Sequence, residues 1–566
     1  FGSRRLRIKP IGTEHSPSEC ATCRMGAERE SPERSRSRDK TADAAKPLPK
    51  GTAVQFFHEA DPADPQAVFI RPQLPEGALG GAKLLQSHGW LNGKLVEDYD
   101  PATFDEAKSS TWPLIGALPK GSPQFVARDS SAKAAASYPR RARRVREVLK
   151  PARKAPELSL VFVRWGGEYA KNDEEENDGD WGKYGSPPSN EYMSALVREG
   201  LLAHPQLVGE SRDSIDFELF SLFVSGSRDV LDIIPGASRL SSLLKGNKRA
   251  CFWMLWPAEW QDFGDPDYAC YIERTALFNA MRACEAVGLR SGFPHPADQF
   301  EVITSKSWMA TLSLHPLARL PAAVLVSKQS VVNDVEAATS HALQMLENIR
   351  TMNPFPGATD DPPAPSVVNK DAVQKGVVKL GWSWENRFVS IFNSKKQLQA
   401  RLKMMFSQSG CLASSCIVQE WVDFDFEMRL FFLPPSEWRA STVLQPACIE
   451  CNAWGERSQE DAVGSSHASF SKLSAELCIE RWSGDAEAWA AAKEEAIQVS
   501  QFLLAWLRTL NAQPVPMIRL DFMVKRLRPG KARVVFGEYC ELGACCLGWK
   551  EGPPTIWRAA LDAVLR

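Results

Sequence analysis

Five short apolar segments, each carrying a charged or carboxamide side chain, constrain this chain more than any other feature. They are "GVVKLGW" (376–382), "CIVQEWV" (416–422), "EMRLFFL" (427–433), "PMIRLDFMV" (516–524) and "ARVVFGEY" (532–539). Their β-branched and aromatic content reads as strands. The polar residues they bring are Lys379, then Gln419 with Glu420, then Glu427 with Arg429, then Asp521, and finally Glu538 with Glu541 just beyond. A buried charge is costly unless it is paired or bound to an ion. Consecutive strands that each bear one are therefore expected to converge. Two or three acids with a lysine and an arginine suit Mg2+ bridging a polyphosphate, because hard oxygens ligate the metal while the cations offset phosphate charge.

The chain around these segments is too long for one core. At 566 residues, a prior of roughly 150 residues per domain implies several units. A net charge of −1 provides no field that would steer the chain toward nucleic acid, so nucleic acid is not expected as a partner. No apolar run approaches the roughly 20 residues of a membrane-spanning helix. Thirteen cysteines, with Cys545 and Cys546 adjacent, are too sparse for a disulfide scaffold and suggest free thiols in a reducing, cytoplasmic setting. Because the chain begins at Phe1, its native start is expected upstream, and a targeting signal there stays open.

Composition divides the chain. Residues 1–51 are polar and rich in Arg, Ser and Pro, which predicts a disordered tail. Residues 52–157 hold scattered apolar residues and end in a basic segment; a small irregular module and linker are expected there. From 158 to 300, strands such as "LSLVFVRW" alternate with helical patterns such as "YIERTALFNAMRACEAVGL" (271–289), which predicts an α/β domain. Residues 301–566 carry the five charged strands and a long helix over 485–511.

The order and spacing of these charged strands resemble the ATP-grasp superfamily of ligases over roughly residues 270–560. The resemblance implies an N-terminal α/β domain followed by a two-subdomain, α+β ATP-grasp fold that brackets ATP. Lys306 in "ITSKSWMATL" is similar to the family's first phosphate lysine, and Lys379 to the second. "QEWV", Gln419, Glu420, Trp421 and Val422, resembles the hinge that seats adenine. Glu427 takes the place of the ribose acid and Arg429 that of the arginine facing phosphate or the acyl intermediate. Asp521, Glu538 and Glu541 resemble the acids that hold one or two Mg2+, with Mn2+ able to stand in. The implied activity converts a carboxylate to an acyl phosphate, which an amine or a thiol then captures; the substrates would be small molecules or peptides.

Two departures stand out. The family's glycine-rich loop is replaced by "LGWSWENRFV", where Arg387 offers a charged fork in place of backbone donors. The closing Glu-x-Asn pattern becomes "GEYCELG", with Cys540 where Asn would stand, which shifts the third ligand to Glu541 because cysteine is a poor partner for Mg2+. These departures keep a second reading open: a catalytically altered fold that binds nucleotide or serves as an interaction module. A third places the function in residues 1–156 as an RNA- or protein-interaction factor. Bland readings accompany each residue. Asp521 alone reads as an acid salt-bridged to Arg519 or Lys525, and Trp382, Trp384 and Trp421 read as core. His295 and His315 read as turn or surface residues. Cys20-x-x-Cys23 with His15, and Cys448-x-x-Cys451, have metal-like spacing without a matching second pair.

Overall fold

The computed structural model describes chiefly residues 51–59, 79–94, 145–147, 156–165, 217–255, 272–353, 375–382, 388–408, 411–433, 443–454, 470–511, 517–540 and 551–565. The first sheet contains β1 (Ala53–Glu59), β2 (Lys83–Lys94), β3 (Val145–Glu147), β4 (Leu158–Trp165), β5 (Phe217–Val224), β6 (Lys248–Trp253) and β7 (Arg290–Phe293), in the order β3-β1-β2-β5-β4-β6-β7. Strands β5, β4, β6 and β7 run parallel, and a parallel sheet needs both faces covered. Strand alternation supplies two apolar faces. Val161, Val163, Cys251 and Trp253 pack with helices α1 (Ser227–Leu243) and α2 (Arg274–Ala286). Leu158, Leu160, Phe162 and Phe252 pack on the other side with Ile556, Ala560, Leu561 and Val564.

Those last four residues lie far away in sequence, on the C-terminal helix Gly552–Leu565. The core of the first sheet is thus completed by the end of the chain, beyond what local composition reveals. Within residues 52–157 the described part includes the strands β1 and β2, and β2 pairs antiparallel with β5. Edge pairing supplies partners that a Gly- and Pro-rich segment does not advertise locally.

Helix α3 (Ala297–Ser305) leads into two antiparallel sheets. The four-stranded sheet has β8 (Ala323–Ser327), β9 (Gly376–Leu380), β10 (Val389–Phe392) and β11 (Ser415–Glu420), in the order β10-β9-β11-β8. One of its faces is covered by α4 (Val335–Met352) and α5 (Lys395–Ser407). Both helices begin at a side-chain cap: Asp334 accepts from the Glu336 and Ala337 amides, and Ser394 from the Gln397 amide. Such caps satisfy amides that the first helical turn leaves unpaired.

The five-stranded sheet has β12 (Phe426–Phe432), β13 (Cys448–Trp454), β14 (Phe470–Leu473), β15 (Ile518–Arg528) and β16 (Lys531–Cys540), in the order β14-β13-β12-β15-β16. Helix α6 (Ala486–Leu510), capped by Asp485, backs one face. Its Ala488, Ala492, Ala496, Val499, Leu503 and Leu507 recur at helical spacing and meet Met428, Leu430, Leu520, Phe522 and Phe536. Among the described residues no helix is long and apolar enough to cross a membrane. The whole is a mixed α/β architecture, a mixed sheet with a parallel portion followed by two antiparallel sheets, in keeping with the expected α/β and α+β fold class.

Candidate functional site

Alternation along β12 sends Met428 and Leu430 into the α6 core and leaves Glu427, Arg429 and Phe431 on the opposite face. The register then aligns one charged residue per strand: Glu450, Arg429, Asp521 and Glu538 form a row across β13, β12, β15 and β16. Glu538 reaches that row through a bulge. Phe536 and Glu538 are two residues apart and would share a face of a regular strand. Instead Phe522 pairs with Phe536 while Asp521 pairs with Glu538, so the extra residue Gly537 reverses the parity. A side chain there would crowd the Asp521 carbonyl, 3.1 Å from an added Cβ. Phe536 therefore enters the core and Glu538 the polar face.

The charges on this face are mostly engaged with one another. Arg519 forks onto Asp521, donating from Nε to Oδ1 and from Nη2 to Oδ2, each at 2.8 Å. Arg429 donates from Nε to Glu427 Oε1 at 2.5 Å and lies 3.9 Å from Asp521 Oδ2. Burial raises the Glu427 carboxyl, an effect opposed by Arg429 and reinforced by Asp521. Asp521 is 3% exposed, where such pairing replaces lost solvation.

Two lysines enter from outside this sheet. Lys306 follows α3 in a left-handed backbone conformation (φ 54°) and brings Nζ to 3.1 Å from Glu538 Oε2. Lys379 sits near the end of β9, close enough that burial first, then Lys306, pull its amine down to about 8, while Glu538 opposes the drop. Burial alone would raise the Glu538 carboxyl, but Lys306, Lys379 and Arg519 outweigh it and bring it to about 2. The approach of the two lysines depends on Gly381, since an added Cβ would lie 2.0 Å from the Ser305 carbonyl oxygen. Only glycine lets the end of β9 meet the end of α3 so closely.

The hinge-like "QEWV" divides by strand alternation. Gln419 lies on the face that carries Lys379 and Ile417, is 4% exposed, and its Nε2 has no hydrogen-bond partner among the described residues. Glu420 turns the other way, toward α4, where Arg350 Nε meets Oε1 at 3.2 Å. Burial raises the Glu420 carboxyl despite Arg350. Trp421 donates from Nε1 to Asp423 at 2.6 Å, and Lys375 lies 4.0 Å above its ring. Val422 is buried.

The structure thus brings together Lys306, Lys379, Arg429, Asp521 and Glu538, with Glu427 beside Arg429, and directs Glu420 elsewhere. Arg387 and Glu541 lie outside the described residues. Of the expected metal acids, Asp521 and Glu538 are cross-strand neighbours of suitable hard-oxygen chemistry. Each faces a cation here, and among the described residues no group of three His, Cys, Asp or Glu forms a metal site. Arg519 is the residue that sequence reasoning undervalued. It was legible only as a salt-bridge partner, although a residue two before Asp521 on a strand must share its face.

Other motifs resolve differently. Cys451 is buried in the core while Cys448 lies on the polar face with Glu450, so these two cannot chelate one ion. Trp382 is core, 5.8 Å from the Phe278 ring with Arg274 5.1 Å above it. His295, expected at a turn or surface, is fully buried 6.4 Å from the Phe300 ring. His315 is exposed and stacks on Phe502. Cys20, Cys23 and His15 lie outside the described residues.

No protein-family model and no curated protein matches this sequence. Among solved structures, the D-cycloserine synthetase DcsG is similar at a TM-score of 0.40 and 16% identity, over 72% of this chain and 100% of that one. A D-alanine–D-alanine ligase from Bacillus anthracis is similar at 0.38 and 12% identity, over 72% and 96%. The macrocyclase MdnC bound with precursor peptide MdnA, from Microcystis aeruginosa MRC, is similar at 0.33 and 12%, over 71% and 98%. These likenesses concern overall arrangement and assign no residue a role.

Proposed function

We propose that this chain is an ATP- and Mg2+-dependent ligase of the ATP-grasp type, activating a carboxylate as an acyl phosphate for attack by an amine or a thiol. One observation supports it above the others: Lys306, Lys379, Arg429 and Arg519 gather around Asp521 and Glu538 where the two antiparallel sheets meet. Four cations, two of them buried, gathered at one face fit a ligand with several negative charges. Gln419 fits the same ligand from the four-stranded sheet, since its buried Nε2 lacks an acceptor that a nucleobase would bring.

On this reading Lys306, Lys379, Arg429 and Arg519 hold phosphate oxygens, while Gln419, Trp421 and Val422 border the base. Glu427 faces the ribose once Arg429 has turned toward phosphate. A substrate carboxylate oxygen bonds to the terminal phosphorus as the bond to the departing ADP oxygen breaks. The amine or thiol then attacks the acyl carbon, losing a proton, and inorganic phosphate leaves. The cations offset charge on the transferring group in both steps. Mg2+, when bound, would be held by Asp521 and Glu538 and would supply further neutralisation of that charge. Glu541 stays a candidate third ligand, and small-molecule or peptide acids and amines in the cytoplasm are the proposed substrates.

A second reading, nucleotide binding without turnover, draws support from Trp382. The chain leaving Lys379 is anchored in the α2 core by this side chain, where a mobile glycine-rich cover would serve catalysis better. Thermal unfolding with ATP, with and without Mg2+, on wild type and Asp521→Asn tests both readings. Mg2+-dependent stabilisation by ATP that the variant loses is the expected result. No nucleotide effect on either protein would sink both. Phosphate release with candidate carboxylates then separates ligase from binder.

A further inference from the structure

The Lys306–Glu538 contact occupies the place that the proposed reading reserves for phosphate. Glu538 Oε2 lies 3.1 Å from Lys306 Nζ, and its side chain is 37% exposed while that of Lys306 is only 14%. Lys379 makes no ion pair of its own among the described residues, yet lies within electrostatic reach of both Lys306 and Glu538. Arg519 acts on Glu538 from the neighbouring strand, although its fork is committed to Asp521. The single carboxylate of Glu538 thus serves two lysines and part of an arginine.

We infer that Glu538 is a built-in counter-anion: without ligand it pairs with Lys306, within electrostatic reach of Lys379, as a stand-in for phosphate, and an incoming phosphate must displace it. The inference rests on the nucleotide reading above and adds a consequence. Released from Lys306, Glu538 becomes available to a metal only after phosphate has arrived. Metal affinity is therefore coupled to phosphate, because a cation at Glu538 would add positive charge beside the two lysines until phosphate offsets them. The bulge at Gly537 supports this use, since it aims Glu538 at the lysines at the expense of regular pairing.

Glu538→Gln tests the inference without reference to turnover. Removing the carboxylate takes away one negative charge beside Lys306 and Lys379, so the variant should bind inorganic pyrophosphate in EDTA on the order of tenfold more tightly than wild type by calorimetry, as expected for one screened charge. Its melting temperature should also rise more on adding pyrophosphate than that of wild type. Mn2+ followed by electron paramagnetic resonance should bind wild type with ADP present and not without it. Lys306→Met, as a control, should lose pyrophosphate binding in either background. Equal or weaker pyrophosphate binding by Glu538→Gln, or Mn2+ binding to the ligand-free wild type, overturns the inference. If wild type binds ATP with Mg2+ but the variant gains nothing, only this inference falls; if neither protein binds any of these ligands, the nucleotide reading falls with it.

Discussion

On the five-stranded sheet, Asp521 meets Arg519 through two 2.8 Å contacts and Glu427 meets Arg429 at 2.5 Å. On the facing four-stranded sheet, Lys379 and Gln419 have no ion pair or hydrogen bond from their side chains among the described residues. The five-stranded sheet thus compensates Asp521 and Glu427 from within itself, before any ligand arrives. The four-stranded sheet presents a cation whose desolvation Glu538 offsets only in part, and a carboxamide whose Nε2 has no partner among the described residues. On the proposed nucleotide reading, a ligand therefore stabilises chiefly the four-stranded side.

Substitutions on the two sheets should therefore behave oppositely. Asp521→Asn leaves the Arg519 guanidinium buried beside a neutral group and should destabilise the free protein by about 3–5 kcal/mol in urea unfolding. A neutral result would mean that the clamp does not hold the sheet. Lys379→Met should do the reverse, raising free-protein stability at neutral pH by about 1–3 kcal/mol while weakening ATP binding at least about tenfold. Loss of stability would break the comparison.

The same lysine sets a pH dependence. Its folded value of about 8 lies below the ordinary 10.5, so between the two the unfolded chain binds more protons. Stability of the free protein should then rise with pH from about 8 toward 10.5. ATP affinity should fall across the same window as the amine loses its charge, and both trends should vanish in Lys379→Met. The smallest effect belongs to Gln419→Leu: removing an unpartnered buried amide should change stability by no more than about 1 kcal/mol, in either direction. A loss of several times that would show that Gln419 is already satisfied.

Much of this was legible locally. The strand character of "GVVKLGW", "EMRLFFL" and "PMIRLDFMV" follows from β-branched and aromatic runs, and the long helix from alanine-rich periodicity with Asp485 as its cap. Lys379, Arg429, Asp521 and Glu538 stood out because a charge inside an apolar run demands a partner. Glu420 was harder to place, since adjacent residues on a strand face opposite ways and the sequence does not say which of Gln419 and Glu420 shares the face of Lys379. Its capture by Arg350 of α4 depends on a contact 70 residues apart in the chain.

What the sequence by itself determined is the inventory: which strands form, which of them carry charge, and that those charges must meet. Periodicity and the cost of burying a lone charge are local properties, and they suffice for that. The tertiary structure decided the pairing. The bulge at Gly537 turned Glu538 toward the lysines, the contact of Gly381 with Ser305 brought Lys379 to Lys306, and the last helix closed the first sheet. Each depends on register or on contact between distant segments, where one residue of slip sends a side chain to the opposite face.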